Sequence, residues 1–217
     1  MAKILNLYAG LGGNRALWGD NHEITSIEYN PEIARLYKEK FPGDTVIVTD
    51  AHQYLIDHVL DGWDFIWSSP PCPSHSRLNT DGNNKPRYPE MSLYQQIIML
   101  NNNWYKGKFV IENVIPYYEP LVYPSVIIDR HYFWNNFNCS KIEVKKEKSI
   151  AKQTGTNERF GFSLKGAITK GLDKRQCLRN LVDPSVGLHF LNRALGIAET
   201  NRNTQLDMFK MEVDNEM

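Results

Sequence analysis

The sequence predicts an α/β domain in which helices flank a mostly parallel β-sheet. Short apolar runs alternate with amphipathic stretches up to Val114, as in consecutive strand–helix–strand units. A glycine-rich turn follows the first apolar run, and the run at 108–114 is almost continuously apolar, which is typical of a strand buried on both faces. The 217 residues, 41% of them hydrophobic, suffice for one domain with a sizeable core.

Each element of the sheet region follows from its local pattern. The predicted strands occupy residues 3–9, 22–29, 44–50, 63–69 and 108–114. The predicted helices occupy residues 10–19 together with the glycine turn, 31–41, 51–60 and 91–105. Pro31 suits the first turn of its helix, and the apolar residues that follow it recur at helical spacing.

Beyond Val114 the pattern is less regular. We predict further strands within 125–137, an irregular basic segment, a helix from Pro184, and a loose acidic tail. The formal net charge is zero, but eleven lysines and arginines face four acidic residues between Lys141 and Arg179. Such a basic segment indicates contact with phosphates, and an ordinary solvated surface is the alternative.

Composition argues against several classes of protein. No apolar run approaches the roughly 20 residues that cross a bilayer, and the N-terminus lacks a signal-peptide pattern, so we expect a cytoplasmic protein. Cys72, Cys139 and Cys177 are odd in number and widely spaced, which supports neither a disulfide framework nor a metal site.

Polar and glycine residues at the ends of the first three strands predict a cofactor crevice. Gly10, Gly12 and Gly13 lie between the first strand and the next element, where backbone can approach a ligand without a Cβ in the way. Glu28 and Asp50 end the next two strands, where they can accept hydrogen bonds from ribose hydroxyls and an adenine amino group. A turn needed only for packing is the alternative, and a dinucleotide site is a weaker one because GxGxxG is absent.

The stretch SSPPCPSHS, at 68–76, places a lone cysteine between prolines after an apolar strand. Pro70, Pro71 and Pro73 exclude a core helix or a central strand at Cys72, which disfavours a buried structural cysteine. An accessible thiol on a stiff loop is typical of a nucleophile.

In this order the motifs resemble those of the DNA cytosine-5 methyltransferases, which use S-adenosylmethionine. The matching segments are LYAGLGGNR for the first motif, IEYNP for the second, TDAHQYL for the third, SSPPCPSHS for the catalytic fourth, IENV for the sixth, and RNLVDPSVGLHFL for a degenerate tenth. Tyr8 replaces the usual phenylalanine, and Arg179 replaces the usual glycine before Asn180. The resemblance implies a Rossmann-like class I S-adenosylmethionine-dependent methyltransferase fold.

The resemblance also implies catalytic roles. Cys72 adds to C6 of a flipped-out cytosine, which makes C5 nucleophilic, and helix ends or cations are expected to lower its pKa. Glu112 holds the base at N3 and the exocyclic amine, and Asn113 orients the cysteine loop. Arg130 is the candidate for the base carbonyl, although the family's glutamine and spaced arginines are missing here; a surface arginine is the alternative.

The resemblance assigns further residues to ligands. The predicted cofactor contacts are Tyr8, Gly10, Leu11, Gly12, Gly13, Glu28, Tyr29, Asp50, Ala51, Pro70, Leu93 and Asn180. The predicted contacts with double-stranded DNA lie in a polar loop after Cys72 and are Ser76, Arg77, Lys85 and Arg87, with a surface loop that binds nothing as the alternative.

The short second half departs most from the family. We divide the chain into a catalytic domain at 1–143, a reduced target-recognition segment at 144–175, a returning C-terminal helix at 176–198, and a polar acidic tail at 199–217. So little room for target recognition predicts a short recognition site or a grip mainly on phosphates. We expect a monomeric, phage-type enzyme in a bacterial or phage-infected cell, without a metal or a membrane; a restriction partner is an open alternative.

Other functions stay open at this point. Eroded later motifs would fit a catalytically silent DNA-binding homologue, although the intact Cys72 and Glu112 disfavour it. The same chemistry could act on RNA, or a one-carbon enzyme could act on free nucleotides. A guanidinium at Arg179 could also pair with the carboxylate of a carboxymethylated sulfonium donor.

Overall fold

A computed structural model describes residues 1–80, 87–102, 104–144, 156–157, 162–164 and 171–197. In these ranges, no helix has the length and apolar character needed to span a bilayer. The acidic tail and most of the basic segment lie outside the described residues. The expectations for those two segments therefore stay predictions.

The described residues form an alternating series of strands and helices. The strands are β1 (Lys3–Leu7), β2 (Glu23–Glu28), β3 (Thr45–Val48), β4 (Phe65–Ser68), β5 (Lys108–Val114), β6 (Val126–Ile128), β7 (His131–Asn135), β8 (Thr156–Asn157) and β9 (Phe162–Ser163). The helices are α1 (Pro31–Lys40), α2 (Ala51–His58), α3 (Ser92–Leu100), α4 (Lys174–Arg179) and α5 (Pro184–Leu195). The strands and helices predicted up to Val114 are present, apart from the helix after the glycine turn.

Within the described residues, seven strands form one sheet in the order β3-β2-β1-β4-β5-β7-β6. The first five in that order are parallel, and β7 runs antiparallel to both of its neighbours. The chain passes from β1 to β2 and β3 on one side, and then crosses to β4 and β5 on the other. This reversal creates a switch point at the carboxyl ends of β1 and β4, where open α/β sheets bind ligands. The predicted fold class is confirmed.

Apolar layers cover both faces of the sheet. On one face, Leu7 of β1 packs in a cluster with Leu55 of α2 and Ile97 of α3. On the other face, Trp67 of β4 packs in a cluster with Phe190 of α5. Each fully buried large side chain contributes about 1.5–3 kcal/mol relative to exposure. Burial on both faces explains why the strand sequences are almost continuously apolar.

Side-chain caps explain where four of the helices begin. Asn30, Asp50, Asp173 and Asp183 precede α1, α2, α4 and α5, and each side chain accepts a hydrogen bond from an amide in the first turn of its helix. Such a cap contributes typically about 1 kcal/mol. Helices α1, α2 and α5 were predicted from other features of the sequence, and α4 was not predicted.

Helix α5 returns to the first half of the chain. The ring of Phe190 stacks on Phe133 of β7, with centroids 4.7 Å apart. A Cβ on Gly187 would lie 2.7 Å from the Cα of Asn14, so only glycine permits this approach of two backbones. The helix predicted from Pro184 is therefore present, and it packs directly on the segment that follows the glycine turn.

The helix predicted after the glycine turn is wrong. That segment forms a short 3-10 turn, Asn14–Leu17, in which the amide of Trp18 donates to the carbonyl of Arg15 at 3.0 Å. Gly19, at φ +75°, ends it in a left-handed conformation. Contacts with α5 on one side and burial of the Arg15 side chain on the other hold the segment in this tight form.

Candidate active site

Predicted functional residues gather at one edge of the sheet. Glu28 ends β2, Ser68 ends β4, and Glu112 lies near the end of β5. Tyr8 directly follows β1, and Asp50 follows β3 by two residues. Because these strands are parallel, their carboxyl ends meet on the same side of the sheet, and residues distant in sequence become neighbours.

Two of the turn glycines are required by packing. A Cβ on Gly12 would lie 2.7 Å from the ring of Tyr37, and a Cβ on Gly13 would lie 2.5 Å from the carbonyl oxygen of Val182. Leu11, between Gly10 and Gly12, is buried in the same cluster as Tyr37. For Gly12 and Gly13, the packing alternative therefore accounts for the residue type without a ligand.

Gly10 differs, because the space beside it is open. Its φ is +54°, and an added Cβ would meet only the carbonyl oxygen of Tyr8, at 4.0 Å. Its amide donates to Glu28 Oε2 at 2.9 Å, while Glu28 Oε1 accepts from the amide of Asn30 at 2.8 Å. Glu28 thus clamps the turn, and each carboxylate oxygen can still accept a second hydrogen bond.

A buried ionic network lies behind the glycine turn. Arg15 donates to both oxygens of Asp44 through Nε and Nη2, with the shortest distances at 3.0 Å, and both side chains are 3% exposed. Tyr37 Oη donates to Asp44 at 2.7 Å and accepts from Ser26 at 2.7 Å. Burial opposes the charge on Arg15, but hydrogen bonds to Asp44 and Asp20 outweigh it and raise its pKa. No sequence pattern indicated this network.

Gln96 of α3 links the residue that follows β1 to the last residue of β4. Its Nε2 donates to Tyr8 Oη at 2.9 Å, and its Oε1 accepts from Ser68 Oγ at 2.6 Å. Burial, opposed by that hydrogen bond, raises the pKa of Tyr8 to about 12. Gln96 was missed, although it shares the buried face of α3 with Leu93 and Ile97. Leu93 is 2% exposed and belongs to the same core cluster as Ile97, and its predicted cofactor contact stays a prediction.

The other predicted cofactor residues differ in exposure. Asp50 is exposed and caps α2 by accepting from the amide of Gln53 at 2.8 Å, and Ala51 behind it is buried. Tyr29, after β2, is 76% exposed. Asn180 is exposed at the end of α4, and its neighbouring segment packs against Gly13.

Hydrogen bonds hold the Cys72 loop in a tight form. Asn113 Nδ2 donates to the carbonyl oxygen of Pro70 at 2.9 Å, which ties the loop to β5. The amides of His75 and Ser76 both donate to the carbonyl oxygen of Cys72 at 3.0 Å. The thiol is half-buried. The structure therefore brings Asn113 to the loop that the sequence predicts it to orient.

The expected lowering of the Cys72 pKa is wrong for the protein without substrate. Burial is the largest effect and raises the pKa of the thiol, and the negative charge of Glu112 raises it further. A hydrogen bond from the backbone and the positive charge of Arg130 oppose these effects without overcoming them. Glu112 and Arg130 thus both lie within electrostatic reach of Cys72.

His131 is an additional neighbour of Glu112. Glu112 is 8% exposed, and its Oε1 lies 3.5 Å from His131 Nε2. Arg130 is exposed in the turn between β6 and β7, where Asp129 has a φ of 53°, and its carbonyl oxygen accepts from the amide of Ile115 at 3.0 Å. His131 was missed because nothing in its local sequence shows that β7 pairs with β5.

The comparison with protein families decides the broad identity. The model for C-5 cytosine-specific DNA methylase matches residues 2–116, more than half of the chain. The chain belongs to this family. The family predicted from the motifs is confirmed, and the match supports S-adenosylmethionine as the cofactor of a methyltransferase.

Similar proteins match only in part. The tRNA (cytosine(38)-C(5))-methyltransferase of Spodoptera frugiperda is 33% identical over 81 residues, which cover 35% of this chain and 24% of that protein. A crystal structure of a Spodoptera frugiperda DNMT2 variant has 26% identity and a TM-score of 0.37, and covers 52% of this chain and 36% of its own. The Entamoeba histolytica methyltransferase EhMeth has 14% identity and a TM-score of 0.42, and covers 73% of this chain and 62% of its own. The chain thus spans about a quarter of its curated relative.

The loop after Cys72 contacts the segment that follows β5. Ser76 forms an isolated antiparallel bridge with Pro116, and Arg77 Nε donates to the carbonyl oxygen of Pro116 at 3.5 Å. Arg77 and Arg87 are both exposed. Lys85 lies outside the described residues. The predicted contacts of these side chains with DNA stay predictions.

His75, like Gln96 and His131, was not predicted from the sequence. It is 1% exposed, and its Nδ1 lies 2.6 Å from Tyr118 Oη, which in turn accepts from Tyr94 at 3.3 Å. Burial lowers the pKa of His75 and favours the neutral ring, while nearby Glu90 opposes this effect. In the sequence, a histidine between two serines is indistinguishable from a solvated loop residue.

Proposed function

We propose that this chain transfers a methyl group from S-adenosylmethionine to C5 of a flipped-out cytosine in double-stranded DNA, through a covalent bond between Cys72 Sγ and C6. One observation carries the proposal. Cys72 lies on a proline-stiffened loop at the switch point of the sheet, within electrostatic reach of Glu112 and Arg130, and Asn113 ties that loop to β5. Family membership supports methyl transfer to cytosine.

The edge formed by β1, β2 and β3 suits the donor. The open space beside Gly10 lets a ligand approach the backbone, and Glu28 keeps acceptor capacity for ribose hydroxyls. Asp50 is exposed on the same edge and can accept from an adenine amino group. When bound, S-adenosylmethionine supplies an electrophilic methyl group on a sulfonium.

Glu112 and Arg130 are proposed to bind the target base. Glu112 accepts from the exocyclic amine and shares a proton with N3, and Arg130 donates to the carbonyl oxygen. Sγ of Cys72 then forms a bond to C6, and the displaced electron pair makes C5 nucleophilic toward the methyl group. Loss of the C5 proton afterwards breaks the bond between Sγ and C6 and restores the ring. The base leaves the enzyme methylated at C5.

The raised pKa of Cys72 places its deprotonation in the substrate complex. In the protein alone, burial and Glu112 favour the neutral thiol. In the complex, the base gains a proton at N3 as the thiol loses one, and the protonated ring pairs with Glu112. The positive charge of the ring offsets the negative charge of Glu112 near the thiol, so the ring and Arg130 together favour the thiolate. A base inside a duplex cannot reach Cys72, so flipping of the nucleotide precedes these steps.

Trapping on 5-fluorocytosine tests this function. The fluorine cannot leave as a proton does, so a duplex containing 5-fluorocytosine should accumulate a covalent adduct with the wild-type protein and S-adenosylmethionine. Cys72→Ala should form no adduct, Glu112→Gln should form it slowly, and the matched control Cys139→Ala should behave as wild type. The mechanism fails if the wild-type protein forms no adduct or if Cys72→Ala still does.

RNA is the second candidate substrate, since the curated relative is named a tRNA (cytosine(38)-C(5))-methyltransferase. The same chemistry on RNA would use the same residues. A parallel trapping series on RNA that contains 5-fluorocytidine separates the two substrates. If adducts form with RNA and not with DNA, the substrate is RNA, and the roles proposed for Cys72 and Glu112 are unchanged.

A further inference from the structure

A cleft of about 490 Å³ lies beside the Cys72 loop, and the reaction as described above does not use it. Its walls include Tyr117, Tyr118, Tyr123, Tyr132, Arg77 and Glu119. Its volume falls in the range of about 300–1,000 Å³ that is typical of ligand pockets. Pro116 and Pro120 complete the lining, which is thus dominated by aromatic rings together with one cation and one carboxylate.

The cleft is lined by residues that contact the Cys72 loop and strand β5. Pro116 forms one wall, and it pairs with Ser76 and accepts from Arg77, which are four and five residues beyond Cys72. Another wall is Tyr132, whose cross-strand partner is Asn113, the residue that ties the Cys72 loop to β5. A ligand in the cleft would therefore contact the same loop and the same strand pair that position the target cytosine.

The tyrosine rings are held in fixed positions. Tyr117 and Tyr118 meet edge to face with centroids 5.1 Å apart, and Tyr117 Oη donates to the carbonyl oxygen of Arg87 at 3.1 Å. Tyr132 packs edge to face on Trp134 at 6.0 Å. Tyr123 is 71% exposed, and its hydroxyl donates to Glu119. Tyr123 therefore presents its ring to solvent within the cleft, with the hydroxyl held by Glu119.

This chemistry selects a nucleotide whose base is unpaired. Aromatic rings beside a cation form the platforms on which proteins stack single-stranded bases. The carboxylate of Glu119 repels a phosphate from its side of the cleft and can accept from the amino group of a base. Arg77 supplies the positive charge that a phosphate requires. The base thus enters the cleft, and its phosphate stays near Arg77.

We propose that this cleft binds an unpaired nucleotide next to the target cytosine, with its base stacked on Tyr123. The inference rests on the proposed function, because it assigns part of the substrate to a surface beside that site. Flipping of the target base weakens the stacking of its neighbours, and an aromatic cleft that accepts one of them stabilises the distorted duplex. The cleft also makes the reaction sensitive to the sequence beside the target.

Three variants test the role of the ring. Tyr123→Ala removes the platform, and Tyr123→Phe keeps the ring but removes the hydroxyl that donates to Glu119. Trp104→Ala is the control. It removes an aromatic side chain that is 67% exposed and that precedes the amino end of β5, whereas the cleft lies beyond its carboxyl end. Because both aromatic side chains are exposed, these substitutions should not unfold the protein. Thermal melts verify that each variant is as stable as the wild type.

Two probes are measured with each variant. The first is fluorescence anisotropy with a fluorescein-labelled, single-stranded DNA 12-mer of random sequence. The second is trapping on a duplex with one 5-fluorocytosine between randomised flanks, followed by sequencing of the trapped strands. Tyr123→Ala should weaken binding and slow trapping about tenfold, the effect of losing one stacked base, and the flanks it traps should lose any sequence preference. Tyr123→Phe and Trp104→Ala should stay within about twofold of wild type, since neither loses the stacked base.

The outcomes separate the inference from the proposed function. Wild-type values for Tyr123→Ala in both measurements would overturn the inference and leave methyl transfer intact. An equal loss in Tyr123→Phe would also overturn it, because the hydroxyl rather than the ring would then be responsible. Binding that depends on Tyr123 without any adduct would support the nucleotide site and refute the covalent mechanism.

Discussion

Replacement of Asp44 by asparagine should strongly destabilise this protein. Asp44 is 3% exposed and accepts hydrogen bonds from Arg15 and Tyr37. Asp44→Asn preserves the shape of the side chain but leaves the guanidinium of Arg15 buried beside a neutral group. The other carboxylate on Arg15 belongs to Asp20, whose side chain is 96% exposed and therefore screened by water.

The expected loss follows from the burial of this pair. Removing one partner of a buried ion pair costs about 3–5 kcal/mol, because the remaining charge stays desolvated. For a protein of this size, each kcal/mol lowers the Tm by about 2–4 °C, so we expect a fall of about 6–20 °C. Arg15→Met combined with Asp44→Asn should be less destabilising than Asp44→Asn alone, because no buried charge remains.

Thermal melts followed by circular dichroism, together with guanidinium titrations, measure the loss. Arg35→Met is the matched control, since Arg35 pairs with Glu32 and Glu39 on the exposed face of α1, where ion pairs contribute little. Equilibrium dialysis with S-adenosylmethionine should also show weaker binding to Asp44→Asn, because the network supports the glycine turn. A Tm for Asp44→Asn as high as that of Arg35→Met would refute the reasoning.

Two further predictions concern the thiol and the glycine turn. Because the folded pKa of Cys72 is raised, its alkylation by iodoacetamide should accelerate at a higher pH than that of an exposed cysteine. At a fixed pH, Glu112→Gln should speed alkylation of Cys72 and Arg130→Ala should slow it. The reverse order of the two variants would contradict the electrostatic account. Gly13→Ala should destabilise the fold by about 1–3 kcal/mol through overpacking, whereas Gly43→Ala, with no atom near its added Cβ, should show no loss in the same melts.

Local patterns were sufficient for most of the sheet. The strands at β1, β2, β4 and β5 are apolar and bounded by turn residues, so their positions could be predicted without knowing their neighbours. The segment after the glycine turn could not be predicted in this way. Its local pattern permits a helix, but the close contact with α5 through Gly187 restricts it to one 3-10 turn.

Local patterns also limited what could be predicted for the site. The order of the motifs indicated Cys72 and Glu112. The prolines around Cys72 and the apolar run around Glu112 are both visible in the sequence. Gln96, His75 and His131 carry no such signal. Each became part of the site only through a partner that is 19 to 88 residues away in the chain.

The sequence by itself determined most of the elements up to Val114 and the family, and it made Cys72 the candidate nucleophile, since these depend on residue types and short spacings. The tertiary structure alone decided the environment of those residues. It placed Arg15 and Asp44 together out of water, raised the pKa of Cys72 where a lowered one was expected, and opened the tyrosine cleft beside its loop. Burial and charge interactions depend on distances between residues far apart in the chain, and no local pattern specifies those distances.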